Sequence, residues 1–159
     1  MKNYFNLGFS PERENIMAYV KIMIHAVWGT KNRFPYLTKD IRLQVIEHIR
    51  ENAHSKQIFI DRLNGYTDHL HCLLGLNADM SIAKIIQLLK GESANWINKQ
   101  NLTKIKFEWA DEYFAVSVSE SMLDKVRDYI DKQEEHHKKM SFNEEYKKFL
   151  RQYRFENYS

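Results

Sequence analysis

The stretch Asp68-His69-Leu70-His71-Cys72-Leu73-Leu74-Gly75-Leu76 constrains the fold more than any other part of the chain. In an extended strand successive side chains alternate faces, so His69 and His71 point one way. Leu70, Cys72, Leu74 and Leu76 point the other way and form an apolar face. A strand of this kind is anchored to a core on one side and offers paired nitrogen ligands on the other. Imidazole suits several divalent metals, and two on one strand face make a rigid half-site. Two histidines do not complete a site, so the rest of the chain has to supply its remaining groups.

The same alternation recurs earlier. From Tyr19 to Trp28, residues Val20, Ile22, Ile24, Ala26 and Trp28 share one face, with Lys21, Met23, His25 and Val27 on the other. A basic loop, Thr30 to Pro35, ends that strand. Thr38 is placed to cap a helix from Lys39 to about His54, with Ile41, Val45, Ile46 and Ile49 as its buried stripe. Gln57 to Leu63 reads as a second strand, and Asn64-Gly65 as a turn joining it in an antiparallel hairpin to the histidine strand. Ser81 opens a helix with Ile82, Ile85, Ile86, Leu89, Trp96 and Ile97 at helical spacing. Gly91 inside it costs about 1 kcal/mol relative to alanine, which suggests a close packing contact or a slight break there. Glu108 to Ser119 contains a fourth strand, with Phe114, Val116 and Val118 inward and Ala115, Ser117 and Ser119 outward. A helix follows from Ser119 or Ser121 to about His137, and a last one runs from the capping box at Ser141 to near Tyr153.

The order β-α-β-β-α-β-α-α opens with the ferredoxin-like (RRM-like) split βαβ pattern. The expected fold is therefore α+β, an antiparallel sheet with helices on one face plus additional C-terminal helices. The other face would be open and would collect Lys21, Met23, His25, His69, His71 and Ser117.

At 159 residues, 43% apolar and 13% aromatic, the composition is that of a globular domain of ordinary size. The net charge of +3 is too mild to argue for nucleic acid by itself and does not oppose it. Cys72 is the one cysteine, so no internal disulfide can form and a reducing cytoplasm fits. No run approaches the ~18 apolar residues of a membrane helix, and no secretory signal pattern opens the chain. Residues 1–16 carry Gly8, Pro11 and no periodic pattern, which reads as an arm or an extension upstream of an alternative start at Met17. Residues 17–159 read as one catalytic domain whose C-terminal helical segment begins at about 120.

Tyr129 and Gln133 lie one turn apart on the late helix, so both project from one patch. If that patch lies over the histidines, Gln133 becomes a third ligand and Tyr129 brings a phenol. Free tyrosine has a pKa of about 10, so a phenol attacking phosphorus needs its charge managed. A divalent ion on His69, His71 and Gln133 would polarise a scissile phosphate. The tyrosine would then form a covalent phosphoester and release a sugar hydroxyl, conserving the bond energy for rejoining.

The motif Asp68-His69-Leu70-His71 with its apolar run, followed downstream by Tyr129-Ile130-Asp131-Lys132-Gln133, resembles the single-tyrosine (Y1, HUH) transposases of the IS200/IS605 type. The strand ending Val27-Trp28-Gly29-Thr30-Lys31-Asn32-Arg33 and the segment Tyr113 to Ser119 also look like parts of that family, and the likeness runs from about Ala18 to about Phe149. At Trp109-Ala110 the chain departs from the glutamine that more often follows the tryptophan. The extended segment with His136-His137-Lys138-Lys139 also appears in the host-associated, REP-associated tyrosine transposase relatives. The resemblance implies a transposase that cuts and rejoins single-stranded DNA bearing hairpins. It implies a covalent 5′-phosphotyrosine, Mg²⁺ or Mn²⁺ as cofactor, and a homodimer in which Tyr129 serves either its own histidines or its partner's.

Each of these residues also has a plainer reading. His25 fits a satisfied sheet histidine, Cys72 inert packing, and His136 to Lys139 a cationic helix end that favours the macrodipole. Lys31, Arg33, Lys90 and Lys132 are candidate DNA contacts, with Lys31 and Arg33 equally readable as a solvated loop. Trp28, Phe34, Tyr36, Tyr66 and Tyr113 offer stacking surfaces for bases, although several must be core. The rival functions are a non-catalytic nucleic-acid-binding module on the same fold, a histidine-based phosphohydrolase, and a dimerisation domain. A phosphohydrolase would want a third alternating histidine where Leu73 stands.

Overall fold

A computed structural model describes residues 19–155, so the expected arm at 1–16 lies outside the described residues. Strand β1 (Ile22–Gly29) leads to helix α1 (Lys39–Ser55), then to strands β2 (Phe59–Gly65) and β3 (His69–Leu76) and helix α2 (Ile82–Lys99). Strand β4 (Phe114–Val118) follows, and three helices close the chain: α3 (Leu123–Asp131), α4 (Gln133–His137) and α5 (Phe142–Gln152). The sheet order is β2-β3-β1-β4 with every neighbour antiparallel, the ferredoxin-like arrangement expected from the element order.

One face of the sheet carries the main core. Ile24, Ala26 and Trp28 of β1 and Leu70, Cys72 and Leu74 of β3 pack there against Val45 and Ile49 of α1 and Ile85, Ile86 and Leu89 of α2. The other face is not open, as the alternation suggested. Helix α3 packs Leu123 and Ile130 on Met23 and Leu73, and α5 packs Phe142 against Val27 and Phe114. The C-terminal helices supply that cover because their own apolar stripes need burial.

Four local expectations change. On β4, Val116 lies opposite His25 and Ser117 opposite Ile24. Directly opposed residues share a face, so Phe114, Val116 and Val118 join the histidine face and Ser117 lies on the main-core face. The Asn64-Gly65 pair is not the turn: both residues belong to β2, and residues 66–68 make the connection. Gly65 is needed there because a Cβ would sit 2.1 Å from the His69 carbonyl oxygen. Gly91 neither breaks α2 nor makes a tight contact, since nothing lies within 4 Å of the Cβ it lacks. The single late helix is instead two. Lys132, at φ −97° and ψ 21°, separates α3 from α4, and the Asn64 amide donates to the carbonyls of Ile130 (2.9 Å) and Asp131 (3.2 Å) at the end of α3.

Candidate active site

Strand β3 presents His69 and His71 to the covered face, and both are completely buried. The His69 Nδ1 faces the Asp68 carboxylate at 2.8 Å. A carboxylate accepts, so Nδ1 carries a hydrogen toward Asp68 and Nε2 is the ring atom turned to the site. His71 Nδ1 faces His25 Nε2 of the neighbouring strand at 2.9 Å. Burial lowers His25 to a pKa of about 4. Burial, together with the neighbouring histidines, holds His71 well below its ordinary value.

Helix α3 is fixed above this pair. The Arg127 guanidinium donates to the Asp61 carboxylate of β2 at 2.8 and 3.0 Å, and Asn64 holds the end of the helix as described. The Tyr129 ring stands edge-on to that of His71, 5.6 Å between centroids. Beyond the break at Lys132, Gln133 is completely buried and its Oε1 lies 3.3 Å from His69 Nε2. Tyr129, Gln133, His69 and His71 of one chain thus come together, the grouping expected from the sequence.

Two further residues, outside the ligand set expected from the sequence, join this cluster. His137 of α4 donates Nδ1–H to the Met140 carbonyl (2.7 Å), which leaves its Nε2 facing Gln133 Oε1 at 3.1 Å and Glu145 Oε2 at 2.7 Å. Glu145 of α5, 1% exposed, accepts a hydrogen bond from the Tyr129 phenol. Its oxygens also lie 3.3 Å from His71 Nε2 and 3.7 Å from His69 Nε2. Burial and the nearby Asp68 carboxylate push Glu145 up to about 8, and burial beside His69 lowers His137 to about 4. His136 Nε2 stands 3.3 Å from the Tyr129 hydroxyl. A signal for Glu145 existed in the sequence: Phe142, Glu145 and Phe149 share a helical stripe, and two of the three are apolar.

His69, His71, His137 and Glu145 each offer a ligand atom, and these atoms lie within 4.8 Å of one another. With Nδ1–H of His69 and His137 facing acceptors, their Nε2 atoms turn toward the Glu145 and Gln133 oxygens at the centre of the cluster. Neither His71 Nε2 nor Glu145 Oε2 has a hydrogen-bond partner among the described residues. Such a set of imidazoles and a carboxylate fits a divalent cation.

The remaining sequence candidates lie away from this centre. Lys31 pairs with Glu108 at 3.1 Å and Lys132 with Asp128 at 2.7 Å, all four at the surface. The Arg33 guanidinium lies over the Phe142 ring, 4.2 Å from its centroid, and Lys90 donates to the carbonyls of Ala110 and Asp111. Among the aromatic residues, Trp28 is core, Tyr36 and Tyr113 pack against the core, Phe34 is half exposed, and Tyr66 stacks on His137. No helix among the described residues is long and apolar enough to cross a membrane.

A family model described as "Transposase IS200 like" matches residues 18–133. Among solved structures, the chain is similar to a transposase candidate from Deinococcus radiodurans R1, with 24% identity over 76% of this chain and 97% of that one and a TM-score of 0.61. It is also similar to a REP-associated tyrosine transposase bound to a REP hairpin, with 18% identity over 78% of this chain and 73% of that one and a TM-score of 0.58. At these identities the structural likenesses speak to the fold. No curated protein matches the chain.

Proposed function

Because this chain belongs to the IS200-like transposase family, we propose that it cleaves and rejoins single-stranded DNA through Tyr129, beside a divalent ion (Mg²⁺ or Mn²⁺) held by His69 and His71 with Gln133 as third ligand. What carries the reading is one juxtaposition: the phenol of Tyr129 and the amide of Gln133, one helical turn apart in sequence, meet two strand imidazoles within a single chain. By likeness to the relative solved on a REP hairpin, the substrate is single-stranded DNA bearing hairpins. A homodimer is part of the proposal, with each Tyr129 serving its own histidines.

When bound, the ion supplies a Lewis acid that offsets the charge building on a phosphoryl oxygen. The side chains do the rest. Tyr129 Oη attacks phosphorus and forms a Tyr–O–P bond as the P–O3′ bond breaks. Its phenolic proton passes to His136 Nε2, the facing group that α5 does not carry. The departing 3′ oxygen takes a proton from solvent and leaves as a hydroxyl, with the 5′ phosphate retained on Tyr129. Attack by another 3′ hydroxyl reverses the step and rejoins the strand. His69, His71 and Gln133 have no exposed surface, so a DNA strand reaches them after α5 moves aside, while Arg127–Asp61 and Asn64 keep α3 in place. Lys31 and Lys132, already at the surface, are proposed phosphate contacts; Arg33 and Lys90 join them if their internal contacts exchange for DNA.

The experiment is a labelled hairpin-bearing oligonucleotide incubated with protein and Mn²⁺ and run on a denaturing gel. A protein–DNA adduct that disappears with EDTA and with Tyr129→Phe is the expected result. Cleavage that persists in Tyr129→Phe removes the nucleophile, and cleavage indifferent to chelation removes the metal. One observation favours a second reading, a non-catalytic DNA-binding module on the same fold: α5 seals the cluster. Hairpin binding with no adduct under any divalent ion would select it.

A further inference from the structure

The family match ends at residue 133, yet two of the four groups that converge on the cluster come from beyond it. His137 is carried by α4 and Glu145 by α5. Glu145 is buried as deeply as the strand histidines, and the His137 side chain is 2% exposed although the residue as a whole is half-buried. Among the described residues, the ion-pair partners of Glu145 are His69, His71, His136 and His137, with no lysine or arginine among them. A carboxylate taken out of water needs a positive charge or a full set of donors. Here Oε1 accepts from the Tyr129 hydroxyl and faces His71 and His136, while Oε2 faces His69 and His137.

The helix that brings Glu145 is itself held at this spot. Ser141 and Glu144 form a capping box at its start, which fixes the first turn. Phe142 stacks on the His69 ring, with centroids 4.1 Å apart and planes within 4°. Those contacts set the carboxylate over Nε2 of His69 and His137, the atoms that also face Gln133 Oε1.

We propose that the ion seat extends beyond the two strand histidines to His137 and Glu145, so that a bound divalent ion pins α5 onto the sheet. The inference rests on the metal reading above and deepens it: to His69, His71 and Gln133 it adds a third imidazole and a carboxylate, both supplied by the C-terminal segment. Since Glu145 rides on α5, ion binding and docking of α5 are linked equilibria, each favouring the other by the same factor.

The test uses the full chain and Mn²⁺ as probe. Affinity is read from the electron paramagnetic resonance signal of free Mn²⁺, and α5 docking from hydrogen exchange of residues 141–152 with and without Mn²⁺. Glu145→Gln, isosteric with the native side chain, and His137→Ala are each expected to weaken Mn²⁺ binding roughly tenfold or more, at least the loss typical of groups that only support a ligand. Mn²⁺ should slow exchange in α5 of the native chain and leave it unchanged in Glu145→Gln. A readout on the native chain alone covers the case in which a variant fails to fold: pulsed resonance of bound Mn²⁺ counts coordinated imidazole nitrogens, and three are expected. Native affinity in both variants, with binding lost in His69→Ala, or a count of two nitrogens, overturns the extended seat and leaves the strand-histidine metal reading standing. A native chain that binds no Mn²⁺ overturns both.

Discussion

The two faces of the sheet are buried to similar depth and built on opposite principles. On the α1/α2 face, Ala26, Leu70, Cys72 and Leu74 are fully enclosed among aliphatic side chains, and burial pushes the Cys72 thiol up to about 12. On the α3–α5 face, His25, His69 and His71 are enclosed just as fully, but among imidazoles, an amide, a phenol and a carboxylate. Removing apolar surface from water stabilises by about 25 cal/mol per Å², whereas an incompletely paired polar group costs free energy when buried. The first face therefore holds the fold together, and the second is retained against its cost. Local conflict of that kind is where function is expected.

That contrast can be broken most decisively at Tyr129. Tyr129→Phe removes one oxygen from the polar face and is expected to lower adduct formation by roughly 10⁴-fold or more, in the range seen when a nucleophile is removed. Its melting temperature should stay close to native. Substantial adduct in the variant would mean that the polar face is packing after all. The next test sets the faces against each other. His69→Ala should abolish Mn²⁺-dependent cleavage in protein that still folds. Leu74→Ala should cost about 2–5 kcal/mol of stability, the usual range for a buried leucine, and leave adduct per folded molecule unchanged. Denaturant melts and the adduct gel, run on both variants, decide it. The contrast between faces fails if the two outcomes are exchanged.

Much of this division was legible in the sequence, because period-two alternation on β1 and β3 assigns each side chain a face without any knowledge of its neighbours. The expected helix from Lys39 to about His54 is α1, Lys39–Ser55, and the element order led directly to the sheet order. The structure also brings Tyr129 and Gln133 to His69 and His71. What tertiary contact decides was not legible. Asn64-Gly65 has the chemistry of a turn, but Asn64 is used to hold the end of α3, and Gly65 is there to let the His69 carbonyl approach. The reversed faces of β4 follow from register with β1, which a five-residue strand cannot reveal by itself. Glu145 was hidden by its position: it follows the capping-box glutamate in a first helical turn, where acidic residues ordinarily complement the macrodipole. His136 and His137 were hidden by the mirror-image argument, as cations at a helix end.

The smallest expected effect concerns how the polar face is anchored rather than what it contains. Asp61 of β2 and Arg127 of α3 hold the helix that carries Tyr129. The Arg127 guanidinium keeps the Asp61 carboxyl below its ordinary value of 3.8. A carboxyl depressed in the folded chain binds fewer protons there than in the unfolded chain. Its contribution to stability is therefore present above pH 3.8 and lost as the pH falls through the folded value. Asp61→Asn removes this term, so the melting-temperature gap between native and variant protein should be constant near neutrality and close as the solution is acidified below about pH 4. Arg127 is 31% exposed, so the gap should be modest and should shrink with added salt. A gap that persists unchanged at pH 3 would mean that the Asp61 charge is not its source, and no gap at neutrality would mean that α3 is held by Leu123, Ile130 and the Asn64 amide alone.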